Sequence, residues 1–309
     1  MEISIHIVVS SNSIRYLEYV IENYKRQAYD SSRMKFFCYS LDTFTYKYLK
    51  NDKNIKVIRT PTSRGSYGHA QAMEIAIKNF QKNNLNIISD SDVVIVKRNW
   101  DKIIKNLILG DNHYGLIGVP YEGLNGFSTG TDNFQTYKNK PTTTWLAFSP
   151  YYKFSQLKLL PEKENFLKID SIDLSNLYEL PIGYNLLKDV GWQIPLFIKE
   201  KNIPYFTLEI IKPTSNKSKV LHGCSPYHDE FHLNSEPFIV HQRGSMSHRF
   251  RIDKKSFDFY NACDKYLNYP AWSIKPKLID KLNAIFQDII NLIKKLLRNL
   301  KNLILKFFK

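Results

Sequence analysis

Asn86–Val96 reads NIISDSDVVIV, and this stretch decides the fold. A short apolar run, Leu85 to Ile88, stops at Ser89-Asp90-Ser91-Asp92, and a second apolar run, Val93 to Val96, follows at once. A bare apolar run closed by polar residues is the pattern of a strand buried on both faces of a parallel sheet. In open α/β sheets ligands sit beyond the carboxyl ends of such strands. Two carboxylates spaced i, i+2 at a strand end point into one crevice when the chain turns between them. Hard divalent cations take carboxylate oxygens, and Mg²⁺ or Mn²⁺ bridges such oxygens to a diphosphate. Asp90 and Asp92 are therefore candidate metal ligands. The bland alternative is an N-cap and turn after a strand. An acidic-x-acidic triplet also arises by chance about once per hundred residues at average composition, as Glu162-Lys163-Glu164 illustrates.

Working upstream, Ile3–Val9 is strand-like and ends in the polar turn Ser10–Ser13. Ile14, Leu17, Val20, Ile21 and Tyr24 recur at helical spacing, which predicts a helix over 14–26. Met34–Tyr39 reads as a strand, Asp42–Leu49 as a helix and Lys56–Ile58 as a short strand. Gly68–Phe80 reads as a helix with Ala70, Met73, Ile77 and Phe80 on one face. The order is β-α-β-α-β-α-β, which predicts a parallel sheet with right-handed crossovers. Between strand and helix, Thr62–Gln71 reads TSRGSYGHAQ, on the same sheet edge as the DSD triplet. A helix N-terminus there offers free N–H groups to an anion, and Gly65 and Gly68 permit close backbone approach. Arg64 and His69 are candidates to touch phosphate or sugar; the alternative is an ordinary turn with a polar helix start. No Gly-Lys-Ser/Thr closes a P-loop. Ser10–Ser13 has no glycine, which excludes a dinucleotide fingerprint.

Downstream, Trp100–Leu109 reads as a helix with Ile103, Ile104 and Leu107 inward, and Tyr114–Val119 and Thr143–Phe148 as strands. The loop between those strands, Tyr121–Pro141, is long and rich in Gly, Asn, Ser and Thr, which suits a lid or acceptor-binding loop or a simply mobile one. Leu186–Glu200 is helical up to interruptions at Gly191 and Pro195. Tyr205–Ile211 reads as one strand, Asn234–Val240 leads into His241, and Lys255–Leu267 reads as a helix. His222, His228 and His232 with Asp229 and Glu230 raise the question of zinc, but their spacing fits no standard motif.

At this point the chain resembles a GT-A-fold glycosyltransferase, similar to the broad family 2 type. The matching pieces are Ile3–Ser11, Gly65–Met73 (GSYGHAQAM), the IISDSDVVI strand, Lys188–Trp192 (KDVGW) and His241–Ser245 (HQRGS), together spanning roughly residues 1–250. The fold this implies is α/β: a Rossmann-like, mostly parallel sheet with flanking helices, to which a C-terminal amphipathic helix is added. The resemblance implies a nucleotide-sugar site. Asp92 would ligate Mn²⁺ or Mg²⁺, with Asp90 on the ribose or the metal shell and His241 as a late third ligand. Ser10, Arg64, Gly68, His69, Asp90 and Ser91 would line the donor. Asp189 matches the position of the family's functional acid, a base for the acceptor hydroxyl, although Val190 stands where a small hydroxyl residue is usual. The Gln-x-x-Arg-Trp box of processive polymerases is absent, which favours single addition. The expected acceptor is a lipid-linked or cell-surface glycan, of capsule, lipooligosaccharide or O-antigen type.

The composition fits this reading and adds to it. The chain has 309 residues, is 43% hydrophobic, and carries a formal charge of +15. A basic surface suits phosphate-bearing ligands or an anionic membrane; no nucleic-acid motif is visible, and no nucleic-acid partner is expected. Three scattered cysteines make neither a disulfide framework nor a Cys-based zinc site. The N-terminus reads as a first core strand rather than a signal peptide. Residues 1–269 form the expected transferase domain, 270–276 a Pro-bounded linker, and 277–309 a separate helix. In that tail Leu278, Leu282, Ile285, Ile289, Ile293, Leu296, Leu300, Leu303 and Phe307 step by three or four, with lysines mostly off the stripe. A basic polar face opposite an apolar one describes a helix lying in an anionic membrane interface; a coiled-coil or domain-docked helix is the alternative. The expected location is cytoplasmic, peripheral on the inner face of the cell membrane. A nucleotidyltransferase, or a non-enzymatic basic membrane- or nucleic-acid-binding module, is the competing function.

Overall fold

The computed structural model describes residues 1–11, 13–61, 65–120, 140–160, 190–191, 193–242 and 254–269. The expected C-terminal helix at 277–309, the 270–276 linker, and nearly all of the Tyr121–Pro141 loop lie outside the described residues.

A seven-stranded sheet forms the frame, in the order β3-β2-β1-β4-β7-β6-β8. Its strands are β1 (Ile3–Val9), β2 (Met34–Ser40), β3 (Ile55–Arg59), β4 (Leu85–Asp90), β6 (Leu116–Pro120), β7 (Pro141–Phe148) and β8 (Tyr205–Thr207). β1 runs parallel to both β2 and β4, and β2 parallel to β3. β7 runs antiparallel to β4 and β6, and β6 parallel to β8. One strand of the seven is reversed, so the mostly parallel α/β sheet expected from the sequence is observed.

The apolar runs explain which strands are central. All seven residues of β1 are buried, and its two polar side chains in mid-strand need partners in the interior. His6 finds Tyr39 Oη at 2.9 Å and Asn86 Oδ1 at 3.2 Å, and Ser4 Oγ accepts from Asn84 Nδ2 at 3.0 Å. Burial outweighs the Asn86 contact and pushes the His6 imidazole down to about 4, so it stays neutral. Helices α1 (Ile14–Gln27) and α4 (Trp100–Leu109) cover one face of the sheet, with Leu17, Val20, Tyr24, Trp100, Ile104 and Ile108 inward. α3 (Gly65–Lys78) and α5 (Ile194–Glu200) cover the other through Ala70, Met73, Ile77, Ile194 and Ile198. α2 (Thr43–Leu49) is capped by Asp42, whose Oδ1 accepts from Thr45 N at 2.8 Å.

A smaller antiparallel sheet, ordered β5-β11-β10-β9, stands beside the first. Its strands are β5 (Val93–Ile95), β9 (Glu209–Ile211), β10 (Asp229–Leu233) and β11 (Glu236–His241), and α6 (Lys254–Leu267) packs Phe259, Tyr260 and Cys263 against it. This second sheet corrects several sequence-based expectations. Val93–Val96 does not continue the DSD strand; it changes sheets. Tyr205–Ile211 is two strands: Leu208 donates its N–H to Gly118 O at 3.0 Å, and the chain then crosses from β8 to β9. Strand propensity reports burial, not the pairing partner, so the sequence shows the run and not the crossing. Element bounds also move. α3 begins at Gly65 rather than Gly68. Pro195 opens α5 at its first turn instead of interrupting it, where its missing N–H costs nothing. β10 falls within the histidine-rich stretch.

Candidate active site

The two sheets meet at the DSD triplet. Asp90 is the last residue of β4, and Val93 is the first of β5. The intervening turn sits at the carboxyl end of the parallel strands, the usual ligand edge of an open α/β sheet. β11 ends alongside: His241 pairs with Val93, and Gln242 N donates to Asp92 O at 3.2 Å. This pairing carries a histidine some 150 residues downstream in sequence onto the two aspartates.

Among the described residues, Asp90, Asp92 and His241 form the group that offers metal-ligand atoms within 4.8 Å of one another. His241 Nε2 lies 3.4 Å from Asp92 Oδ1, and its Nδ1 lies 3.7 Å from Asp229 Oδ2. Lys212 Nζ is 2.9 Å from the other Asp229 oxygen. His69, in the first turns of α3, places Nε2 3.1 Å from Asp90 Oδ1. Burial alone would push the His241 imidazole down. The charge of Asp92, contact with Asp229 and the more distant Asp90 oppose that and raise it to about 10. In the metal-free protein the ring therefore carries a proton at neutral pH, as a cation set among carboxylates.

These residues fit a divalent ion. Asp90 Oδ1 is buried, with His69 Nε2 3.1 Å away but no aligned hydrogen bond to it. Asp90 as a residue brings a carboxylate oxygen within 4.8 Å of ligand atoms of Asp92 and His241. Two carboxylates and one imidazole are a mixed O/N donor set acceptable to Mn²⁺, and also to Mg²⁺ with water completing its shell.

The backbone that presents Asp90 is fixed from inside the core. Trp145 Nε1 donates to Tyr24 Oη at 2.9 Å, Tyr24 Oη donates to Ser89 Oγ at 2.9 Å, and Ser89 Oγ donates to Asp90 O at 2.9 Å. This chain joins β7, α1 and β4. Asn23 of α1 ties down the other side of the turn, donating to Ile95 O at 2.9 Å and accepting from Ile95 N at 2.8 Å. At the end of β1, Ser13 Oγ accepts from Ser10 N at 3.1 Å. Ser11 N donates to Asp42 Oδ2 at 2.8 Å.

The structure thus brings together Asp90, Asp92, His241 and His69. Gly68 is buried in α3, and Ser91 is buried in the turn. Arg64 and Asp189 lie outside the described residues, as do Lys188 and Trp192 of the KDVGW stretch and Arg243–Ser245. The histidine-rich segment does not converge. His222 is exposed with Nδ1 3.3 Å from Ser215 O, while buried His232 puts Nε2 2.6 Å from Glu230 Oε1. Glu230 in turn accepts from Ser218 Oγ and from the N–H groups of Lys219, Val220 and Leu221. Burial works against its charge, but these donors win and hold its carboxyl below the usual range. That cluster pins a loop. The sequence singled out Asp229 only within the histidine-rich stretch, not beside His241, and Asp42 had no place at the site. A register for β10 against β11 would have been needed to find the first.

No protein-family profile matches the chain, and no curated protein sequence matches it. Solved structures do. Staphylococcus aureus TarS residues 1–349 in complex with UDP-GlcNAc aligns at 15% identity and a TM-score of 0.36, over 52% of this chain and 48% of that one. The mannosyltransferase PcManGT of Pyrobaculum calidifontis, in complex with GDP-Man and Mn²⁺, aligns at 10% identity and a TM-score of 0.39, over 67% and 54%. The glycosyltransferase GlyE of Streptococcus pneumoniae aligns at 13% identity and a TM-score of 0.34, over 67% and 45%. The alignments span about half the length of these proteins. At identities and TM-scores this low, the functional conclusion has to come from the site.

Proposed function

We propose that this chain is a metal-dependent glycosyltransferase, moving a single sugar from a nucleotide-sugar donor to a lipid-linked or cell-surface glycan. The observation that carries this is the convergence of Asp90, Asp92 and His241 at the ligand edge of the sheet, with ligand atoms within 4.8 Å of one another. In this reading Asp90, Asp92 and His241 hold Mn²⁺ or Mg²⁺, which when bound neutralises the charge developing on a departing nucleoside diphosphate. The chain's own residues do the rest. Ser10, Gly68 and Ser91, with Arg64, line the donor. His69 holds Asp90 from α3 and faces the same edge. Asp189 takes the proton from the acceptor hydroxyl as its oxygen attacks the sugar carbon.

The test is donor hydrolysis or transfer over a panel of nucleotide-sugars, with and without EDTA. Asp92→Ala should abolish the metal-dependent turnover while the metal-free protein still unfolds cooperatively, though at a lower midpoint because buried His241 loses its carboxylate neighbour. Full activity in the variant, or undiminished wild-type activity in excess EDTA, overturns the assignment. Residues 277–309 supply the proposed membrane contact, and no helix among the described residues is long and apolar enough to cross a membrane. Truncation after Tyr269 should release the protein from vesicles containing anionic lipid in a flotation assay. Equal flotation of both forms removes the tail from that role.

A further inference from the structure

Four polar residues line up at the edge of the small sheet, two of them proposed metal ligands. His241 is directly opposite Val93 on one side and directly opposite Asp229 on the other. Glu230 pairs with Ile211, so Lys212, the next residue after β9, comes back onto Asp229. Side chains of directly opposed residues in an antiparallel pair emerge on the same side of the sheet. The result is a row of alternating charge type: Asp92, His241, Asp229, Lys212. Its distances are 3.4 Å, 3.7 Å and 2.9 Å in that order. Asp229 is fully buried, and a carboxylate is kept there only with partners. Its two oxygens are divided, Oδ2 toward His241 Nδ1 and Oδ1 toward Lys212 Nζ.

We propose that Asp229 is a positioning residue that fixes the proton of His241 on Nδ1 and so turns the Nε2 lone pair toward the metal, with Lys212 setting which Asp229 oxygen faces the ring. This rests on the metal reading of Asp90, Asp92 and His241. An imidazole binds a metal through one nitrogen only if the other carries the proton, and a carboxylate behind the ring enforces that tautomer and raises the ligand's basicity. Nε2 is the nitrogen beside Asp92, so it is the one that must be free of a proton when metal binds.

The division of the Asp229 oxygens makes a substitution informative. An asparagine has one oxygen and one NH₂. Lys212, a donor only, claims the oxygen, so in Asp229→Asn the NH₂ is turned to His241 Nδ1. The ring must then accept at Nδ1 and carry its proton on Nε2, where it blocks the metal.

The experiment titrates Mn²⁺ into the full chain and follows the free-ion EPR signal, with the Tm of the metal-free protein measured alongside. Wild type should bind; absence of binding overturns the metal reading itself, independently of Asp229. With wild type binding, Asp229→Asn should weaken affinity by about 10- to 100-fold, the usual loss when a partner behind a metal-bound histidine is removed. Affinity unchanged in a variant with near-wild-type Tm overturns the proposal. Lys212→Met added to Asp229→Asn should recover part of the loss, because the amide is then free to turn its oxygen to Nδ1. No recovery refutes the part assigned to Lys212. On a His241→Ala background Asp229→Asn should have little further effect, since the two act as a unit; a full, additive loss there would show that Asp229 acts by charge alone. Should Asp229→Asn fail to fold, ¹⁵N shifts of the His241 ring in the Mg²⁺-loaded wild type report the tautomer directly. A proton on Nδ1 supports the assignment, and a proton on Nε2 overturns it.

Discussion

Metal binding at this site should release one proton and strengthen steeply with pH. In the metal-free protein His241 holds its proton up to about pH 10, and a metal must displace it, because ligand and proton compete for the same nitrogen lone pair. At pH 7.5 only a small fraction of the ring is then deprotonated, which lowers apparent affinity on the order of 10²-fold below its high-pH limit, or about 3 kcal/mol at 1.36 kcal/mol per pH unit. The sign follows: raising pH removes the competing proton and favours metal. Apparent affinity should climb about tenfold per unit between pH 6.5 and 8.5, then level off near the folded pKa. That slope is set by the number of protons displaced. Calorimetric titration of Mg²⁺ at pH 7.5, in two buffers of different ionisation enthalpy, counts the protons; about one should appear. A slope near zero, with no proton released, would refute the argument. The metal would then be held by Asp90 and Asp92 without His241.

Three further expectations follow from the contacts. Tyr24→Phe removes the hydroxyl that accepts from Trp145 and donates to Ser89; leaving buried polar groups unpaired costs about 1–3 kcal/mol each, so thermal unfolding should fall by several degrees, and an unchanged Tm would show that the chain of bonds is dispensable. Glu230→Gln should destabilise by about 2–4 kcal/mol, because the side chain accepts from several donors at once and an amide NH₂ cannot. The folded-state pKa of Glu230 is lowered, so its contribution is complete above about pH 4.5 and is lost as pH falls through that lowered value; urea unfolding between pH 3 and 6 should show a flatter acid limb in the variant, and a superimposable limb would contradict this. Asp189→Asn should retain donor binding, read by equilibrium titration with the nucleotide-sugar, while transfer falls by a factor on the order of 10² or more; near-normal kcat would move the base elsewhere.

Much of the first half of the fold was legible in the amino-acid order because its information is local. The apolar runs at Ile3–Val9 and Leu85–Ile88 exceed what one-sided burial requires, and they became the central strands β1 and β4. The 3.6-residue spacing of Leu17, Val20, Tyr24 and Ile104 marked the helix faces that pack on them, while Ile108 is buried in the structure and was not marked. The DSD triplet identified a strand end, and strand ends of parallel sheets are where ligands sit. None of that needs a distant partner.

The second sheet needed distant partners at every step. Val93–Ile95 reads as a continuation of the strand before it until β11 pairs with it. Tyr205–Ile211 reads as one strand until β6 and β10 each take half. Strand pairing is decided by contacts across long sequence separations, which the side-chain alternation within one strand does not encode. His241 could be suspected from its resemblance to a late metal ligand, but its distance to Asp92 exists only once β11 lies beside β5. Asp229 and Lys212 read as parts of a histidine-rich stretch and a loop start. Only the antiparallel register of β9, β10 and β11 turns them into a row ending at the aspartates, because a two-residue repeat places opposed side chains on one face whatever their separation in the chain.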